Sequence, residues 1–208
     1  MGDGRCQGCR EFEPEFDRAV SFGEYAGALR GLIHLLKYDA VLPAAPFLGR
    51  LLAETMAQLG YDDDEPLLVP VPLHSSKRGE RGFNQAELIV RSVVKHLPRR
   101  QEAASVLKRQ RATHSQVGLT REERIANLRG AFRVTAPERV MGRTVIVVDD
   151  VMTTGTTVSE CARVLKKAGA ERVWAATVAR TLKEATLPVT VERSNEEEGE
   201  AAEMAVSV

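Results

Sequence analysis

The segment from residue 145 to residue 157 restricts the fold of this chain more than any other. Residues 145–148 are four consecutive apolar β-branched residues, which is typical of a parallel strand buried on both faces. The carboxylates Asp149 and Asp150 follow directly, and a small polar turn then leads into apolar positions at helical spacing. This order predicts a strand, a ligand-bearing turn and a helix in immediate succession.

The turn after the acidic pair has the composition of a phosphate site. In open parallel sheets, ligands bind at the carboxyl ends of the strands. The start of a helix offers backbone N–H groups and the positive end of the helix dipole, which together hold a phosphate. Gly155 lets the backbone approach a ligand closely, because it has no Cβ. The hydroxyl donors of this turn are Thr153, Thr154, Thr156 and Thr157.

Two carboxylates beside a phosphate site require a ligand that is not anionic throughout. Asp149 and Asp150 suit a neutral polyol, such as the hydroxyls of a ribose, or a hydrated Mg²⁺. A phosphorylated sugar satisfies both the acidic pair and the turn. In the simpler alternative, the pair only caps a turn and the threonines only cap the helix. A receiver-type acidic pocket is disfavoured, because its acidic pair normally lies near the start of the domain.

Strand and helix signals alternate from about residue 66 to residue 180, which indicates right-handed crossovers and a parallel sheet. Helical spacing also covers about residues 23–59. Capping boxes are predicted at two helix starts, Asn84 with Glu87 and Thr120 with Glu123. We therefore expect four segments: a remnant of a cysteine-rich module over 1–17, a helical hood over 18–62, the α/β core over 63–183 and an acidic disordered tail over 184–208.

The middle of the chain is strongly basic. Residues 74–129 contain 13 Lys or Arg against 5 Glu, and this bias suits a polyanion, either a phosphorylated metabolite or a nucleic acid. A strand signal over residues 67–72 contains prolines and runs into a polar, basic loop. The candidate binding residues of this loop are Ser75, Ser76, Lys77 and Arg78.

A second basic segment covers residues 108–120. It has no apolar period, so we predict a long mobile loop of the kind that closes over a substrate. Its cations Arg109 and Arg111 suit the charge that grows on a departing pyrophosphate. The alternative for each cation is a solvated basic face. His114 suits a solvated or structural role better than that of a general acid.

Residues 145–157 resemble, at every position, the 5-phosphoribosyl-1-pyrophosphate (PRPP) signature of type I phosphoribosyltransferases. Other segments, over about residues 6–180, resemble the ComF family, whose members have the phosphoribosyltransferase fold and are named for a role in bacterial competence for DNA uptake. The matching stretches include Phe16-Asp17, Tyr25-Ala26-Gly27, Ile33 to Tyr38, Pro70 to His74, Arg81 to Leu88, Arg111, Thr113, Gln116, Leu119, Glu123-Arg124, Asn127 and Gly130-Ala131-Phe132.

The resemblance implies an α/β fold of the type I phosphoribosyltransferase kind, with a parallel twisted sheet flanked by helices and a helical N-terminal hood. It implies that Asp149 and Asp150 hold the ribose 2′- and 3′-hydroxyls, with Mg²⁺ bound indirectly, and that residues 153–157 wrap the 5′-phosphate. By the same resemblance, residues 75–78 bind pyrophosphate and residues 109–116 form the flexible catalytic loop.

The chain also departs from its relatives. ComF members often begin with a zinc module of at least two CxxC pairs, whereas only Cys6 and Cys9 are present here. Two thiolates cannot complete a tetrahedral zinc site, and Cys161 suits the core better than a ligand role, so we do not expect zinc. Purine-salvage relatives have an Asp at the position of Thr153, which argues against hypoxanthine–guanine salvage.

Two functions remain open. The first is an enzyme that transfers a phosphoribosyl group from PRPP with Mg²⁺, releases pyrophosphate and uses an unknown acceptor. The second is a non-catalytic PRPP or nucleotide sensor of DNA uptake and processing, which binds protein partners or single-stranded DNA.

The sequence also leads to an expectation for the location of the protein. Because it has only three cysteines and no apolar run of about 18 residues, we expect a cytoplasmic protein without a membrane span. An oligomer is possible.

Overall fold

The sheet of this protein is parallel throughout. The computed structural model describes residues 13–60, 65–97, 101–111 and 120–181. Its strands are β1 (Arg18–Glu24), β2 (Leu67–Pro70), β3 (Glu102–Ala103), β4 (Leu107–Arg109), β5 (Phe132–Val134), β6 (Thr144–Met152) and β7 (Arg172–Arg180). Five of them form one sheet in the order β1-β7-β6-β2-β3, and every pairing in it is parallel. The remaining two, β4 and β5, form a separate antiparallel pair.

Helices cover both faces of the sheet. They are α1 (Gly27–Tyr38), α2 (Ala44–Met56), α3 (Ser75–Arg81), α4 (Gln85–His96), α5 (Arg121–Leu128) and α6 (Thr156–Lys167), with short 3-10 turns at Ala57–Leu59 and Pro137–Arg139. The predicted capping box of Thr120 and Glu123 is present at the start of α5. Among the described residues, no helix combines the length and the apolar composition that a membrane crossing requires.

The central strand β6 is buried on both faces. Its residues Val145 and Val147 pack with α6, and we call this side the α6 face. The alternate residues Ile146 and Val148 pack with α1, α2 and α4, and we call this side the hood face. Successive side chains of a strand point to opposite faces. A strand with apolar layers on both sides therefore needs the uninterrupted apolar run that the sequence shows.

Two local predictions differ from the structure. Residues 18–24 lie in the expected helical hood, yet they form β1, because their backbone pairs with the edge of β7. Residues 75–78 were expected in a loop, and they begin the short helix α3 instead. The His74 side chain accepts a hydrogen bond from the Ser76 amide at the start of α3, and left-handed Gly82 ends it. The position of the other expected segment boundaries stays a prediction.

The capping box predicted for Asn84 and Glu87 is present only at Asn84. Asn84 caps α4 by accepting a hydrogen bond from the Ala86 amide at 3.0 Å. Glu87 instead accepts two hydrogen bonds from the Arg78 guanidinium, at 2.9 and 3.1 Å. A guanidinium that binds a carboxylate in this bidentate way competes well with a backbone amide.

Two helices of the hood face approach each other most closely at Gly49. A Cβ added to Gly49 of α2 would lie 2.4 Å from the Ser92 Cβ of α4. The Ser92 hydroxyl donates a hydrogen bond to the Pro46 carbonyl at 2.9 Å, so this side chain is itself held in place. Glycine is therefore required by contact at this position.

We expect Gly49→Ala to lower the free energy of unfolding by about 1–3 kcal/mol, because the added methyl group forces α2 and α4 apart. Gly31→Ala is the matched control, since Gly31 also lies inside a helix but nothing lies within 4 Å of its added Cβ. The control should be neutral or stabilising by up to about 1 kcal/mol. Urea denaturation measures both, and equal midpoints for Gly49→Ala and the unmutated protein would contradict the prediction.

Candidate functional site

The turn between β6 and α6 has the predicted form. The strand continues past the predicted apolar run to Met152, and α6 starts at Thr156. Gly155, the N-cap residue of α6, has a φ of 76°, in the left-handed region that favours glycine. It is buried, and it provides no side-chain cap to the helix. The helix start therefore faces this turn with its own amides.

The amides at the start of α6 are available to a ligand. The first hydrogen bond of the helix runs from the Ser159 amide to the Gly155 carbonyl at 2.8 Å. The amides of residues 156–158 precede it, and such amides have no partner inside a helix. The hydroxyls of Thr154 and Thr156 hydrogen-bond to each other beside them. The turn and the start of α6 therefore supply N–H and O–H donors together with the positive end of the helix dipole.

A cation also reaches this turn. The Arg124 guanidinium, from α5, donates a hydrogen bond to the Thr153 hydroxyl at 3.4 Å. The sequence included Arg124 in a matching stretch, but nothing in its spacing assigned it to the turn. Thr153 is exposed, so the guanidinium lies at the open side of the turn and adds positive charge there.

The two predicted carboxylates meet at the end of β6. Strand alternation directs Asp149 toward the α6 face and Asp150 toward the hood face. The Asp149 side chain bends toward the following residue, and its Oδ1 accepts a hydrogen bond from the Asp150 amide at 2.9 Å. The two carboxylates therefore lie side by side at the carboxyl end of β6 and are directed toward opposite faces of the sheet.

A lysine pairs directly with one carboxylate, and an arginine lies within electrostatic range of the other. On the hood face, the Lys37 Nζ of α1 lies 2.8 Å from the Asp150 Oδ2, with the two side chains 19% and 4% exposed. On the α6 face, the charge of Asp149 acts on the Arg109 guanidinium. Burial acts against the charged form of Lys37, but Asp150 and Asp149 outweigh it and raise the pKa of Lys37.

Lys37 is the site residue that sequence reasoning missed. It lies four residues after Ile33 and one after Leu36, and both of these are fully buried in the hood-face core. A lysine beside such positions indicates a buried anionic partner. The sequence contains that signal, but it does not identify the partner, which comes from the distant strand β6.

The basic segment after β2 leaves the sheet at the same end as the acidic pair. Pro70 pairs with Val148 across the sheet, and the Val71 amide donates to the Val148 carbonyl at 2.9 Å. The chain therefore leaves β2 at the end of the sheet where Asp149 lies on β6. Ser75, Ser76, Lys77 and Arg78 follow in α3 and are all exposed.

The start of the predicted mobile loop is a strand instead, because Lys108 and Arg109 belong to β4 and pair with β5. Two further predicted cations lie here. The Arg109 guanidinium lies over the Phe132 ring, 5.5 Å from its centroid, and burial lowers its pKa. Arg111 donates hydrogen bonds to the carbonyls of Asn127 and Arg129, at 2.8 and 3.1 Å, near the end of α5. The predicted catalytic roles of Lys77, Arg78, Arg109 and Arg111 stay predictions.

Some predictions lie outside the described residues. These are Cys6 and Cys9, His114, most of the predicted flexible loop and the acidic tail. Cys161 is described and lies in the α6-face core with no exposed surface, and burial raises the pKa of its thiol. Within the described ranges, no group of three or more His, Cys, Asp or Glu side chains is arranged to hold a metal ion.

Comparison with known proteins gives the same fold. The family model of the phosphoribosyl transferase domain matches residues 48–203. The chain is 37% identical over 183 residues to the DNA utilization protein YhgH of Escherichia coli K12, covering 85% of this chain and 78% of that protein. It is 32% identical over 175 residues to Competence protein F of Haemophilus influenzae, covering 81% and 75%. The domain match and the parallel sheet confirm the predicted fold class.

Solved structures with a similar backbone include a hypoxanthine phosphoribosyltransferase from Staphylococcus aureus. It is 12% identical to this chain, with a TM-score of 0.42 over 67% of this chain and 75% of that one. A hypoxanthine-guanine-xanthine phosphoribosyltransferase is 16% identical, with a TM-score of 0.38 over 65% of this chain and 62% of that one.

The acidic pair makes a pH-dependent contribution to stability. Burial and the charge of Asp150 raise the pKa of Asp149 from 3.8 to about 8, although Lys37 acts in the opposite direction. The folded state therefore binds more protons at Asp149 than the unfolded state does between these two values. Because of that difference, this group makes the free energy of unfolding decrease as the pH rises through the interval.

We expect Asp149→Asn to remove this dependence, because asparagine resembles the protonated acid in shape but does not ionise. The free energy of unfolding of the variant minus that of the unmutated protein should rise between pH 5 and pH 8, by about 1–3 kcal/mol after allowance for partial exposure. Urea denaturation at both pH values measures it. A difference that stays constant with pH would contradict the raised pKa.

Proposed function

The chain belongs to the ComF family of proteins with a phosphoribosyl transferase domain, and we propose that it binds PRPP and transfers the phosphoribosyl group to an acceptor with release of pyrophosphate. One observation carries this proposal. A helix start without a side-chain cap follows shortly after two adjacent carboxylates at the carboxyl end of the central strand. A sugar phosphate has the matching groups in the matching order.

The phosphate end of PRPP is assigned to residues 153–157. Left-handed Gly155 turns the chain so that the amides of residues 156–158 face outward from the helix start. Threonine hydroxyls add donors, and Arg124 adds a positive charge at Thr153. A dianionic phosphate gains from each of these groups, because all of them are donors or positive.

The ribose is assigned to Asp149 and Asp150. Carboxylates accept hydrogen bonds from hydroxyls, and neither of these two is needed for the hydrogen bonds of the sheet itself. Because the pKa of Asp149 is raised to about 8, the pair carries little more than one negative charge near neutral pH, and Lys37, 2.8 Å from Asp150, offsets that charge. The site is therefore compatible with an anionic ligand that has a neutral diol in its middle.

The pyrophosphate is assigned to the cations after β2 and near β4, which are Lys77, Arg78, Arg109 and Arg111. As the bond from C1 to the pyrophosphate oxygen breaks, the sugar becomes oxocarbenium-like and negative charge collects on the leaving group. Cations that are already in place stabilise that charge, and a fixed ribose holds C1 in line with the acceptor. A protein nucleophile is not required for this reaction.

Mg²⁺ is proposed to arrive with the diphosphate of PRPP. Asp150 is paired with Lys37, and Asp149 accepts a hydrogen bond from the backbone, so both suit contact through water better than direct coordination. A bound Mg²⁺ neutralises charge on the leaving pyrophosphate. Zinc is not proposed, because the two thiolates of Cys6 and Cys9 cannot complete a tetrahedral site.

The acceptor belongs under the hood, beside C1 of the ribose. Purine-salvage relatives have an Asp where this chain has Thr153, so hypoxanthine–guanine salvage is not proposed. We propose a cytoplasmic location for the reaction, where PRPP is made and thiols stay reduced.

A second candidate function is favoured by the β4–β5 pair. Lys108 lies directly opposite Arg133 in the antiparallel register, and both side chains are exposed. Like charges in this position destabilise a strand pair, so a polyanionic partner would stabilise it. The relatives are named for DNA utilization and competence. In this alternative, the protein senses PRPP without turnover and binds single-stranded DNA here.

We expect Gly155→Ala to weaken PRPP binding at least roughly tenfold, because alanine disfavours the left-handed conformation and so redirects the amides of residues 156–158 that are proposed to hold the phosphate. Gly142→Ala is the matched control. Gly142 has a similar φ of 69° and lies just before the other end of β6. Gly142→Ala should lose about as much stability as Gly155→Ala, about 1 kcal/mol, and keep its affinity for PRPP. Calorimetric titration measures both, and equal affinities would contradict the phosphate assignment.

An acceptor screen separates the two functions. Only an enzyme releases pyrophosphate when PRPP, Mg²⁺ and a library of nucleobases, amines and nucleosides are supplied. Under the alternative, no acceptor gives pyrophosphate, and the double variant Lys108→Glu/Arg133→Glu loses salt-dependent binding of single-stranded DNA. Unchanged DNA binding in that variant, together with pyrophosphate release by the unmutated protein, would reject the alternative.

A further inference from the structure

We propose that Lys37 is a positioning residue that makes the acidic pair selective for a ring with hydroxyl groups. This inference rests on the proposed binding of ribose at Asp149 and Asp150. The ammonium of Lys37 lies 2.8 Å from the Asp150 Oδ2, and Lys37 comes from the hood, not from the core that supplies the pair. Lys37 thus links the ribose site to the segment that covers it.

The contact uses only part of the Asp150 carboxylate. A carboxylate has about four acceptor positions, and an ammonium occupies one of them. Asp150 is 3% exposed, so water reaches it poorly and its remaining acceptor positions need donors. Ribose hydroxyls are donors of the right kind, and the end of β6 is where the proposed ligand lies. Lys37 therefore fixes the direction in which the remaining positions face.

Lys37 also controls the charge that the ligand meets. Without it, Asp150 is a buried carboxylate with no cation on the hood face close enough to pair with it among the described residues. Such a group takes up a proton or attracts water, and either change alters how it accepts a hydroxyl. With Lys37 in place, Asp150 stays an acceptor and the pair repels a phosphorylated ligand less. The expected consequence is selectivity for hydroxyl groups, not general affinity for phosphate.

The test compares two ligands that differ only in hydroxyls. Ribose 5-phosphate has them, whereas tetrahydrofurfuryl phosphate keeps the ring and the phosphate but has no ring hydroxyls. The unmutated protein should prefer ribose 5-phosphate by roughly 10- to 100-fold, since hydrogen bonds to charged groups are strong. Lys37→Met should reduce this preference to about threefold or less, with the affinity for tetrahydrofurfuryl phosphate unchanged within about twofold. Lys37→Arg should restore part of the preference.

A matched control is available at Lys166. Its Nζ lies 2.6 Å from the Asp17 Oδ1, near the opposite end of α6 from the phosphate turn. Lys166→Met breaks a lysine–aspartate pair without reaching the site, so the preference should be unchanged. Should Lys37→Met not fold, as judged by circular dichroism, Lys37→Gln takes its place with the same expected loss, because it keeps a donor but no charge.

Three results overturn the inference, and they are distinguishable. A Lys37→Met protein that keeps the full preference shows that Lys37 does not position the pair. An equal loss of affinity for both ligands shows that Lys37 only stabilises the fold. An unmutated protein that binds neither ligand, or binds both equally, refutes ribose binding at this site and with it the proposed function.

Discussion

The burial of β6 on both faces is the constraint on which the rest of the structure depends. The strand pairs with β2 on one side and β7 on the other, and apolar layers cover both of its faces. No ligand can reach it along this length, so polar groups with a chemical role have to follow at its carboxyl end. Asp149, Asp150 and the turn into α6 occupy that end in immediate succession. The same geometry brings the chain after β2 to the neighbouring position.

The acidic pair then determines how distant segments come together. Two adjacent carboxylates in a mostly buried place are unfavourable unless cations offset them. Lys37 from the hood pairs with Asp150, and the pKa of Asp149 is raised, so that Asp149 keeps its proton near neutral pH. The hood is thus held to the core by an ion pair at the proposed ribose site, in addition to its apolar packing. The negative charge of the acidic pair has to be offset in this way before an anionic sugar can bind there.

The sequence predicted the parts of the fold and the site that depend on neighbouring residues. The apolar run of β6, the acidic pair, the turn with Gly155 and the α5 capping box each have a signal within a few positions. Parts that depend on distant partners were not predictable in this way. The strand β1 forms because its backbone pairs with β7. Glu87 does not cap its helix because it binds Arg78 instead. Lys37 and Asp150 come together only in the folded chain, because they lie far apart in the sequence.

The most direct test of the central claim is a crystal structure of the protein with PRPP and Mg²⁺. We predict the 5′-phosphate within hydrogen-bond distance of the amides of residues 156–158. We also predict that the ribose hydroxyls donate to the carboxylates of Asp149 and Asp150. PRPP bound elsewhere, or a 5′-phosphate that makes no contact with the start of α6 at saturating ligand, would contradict it.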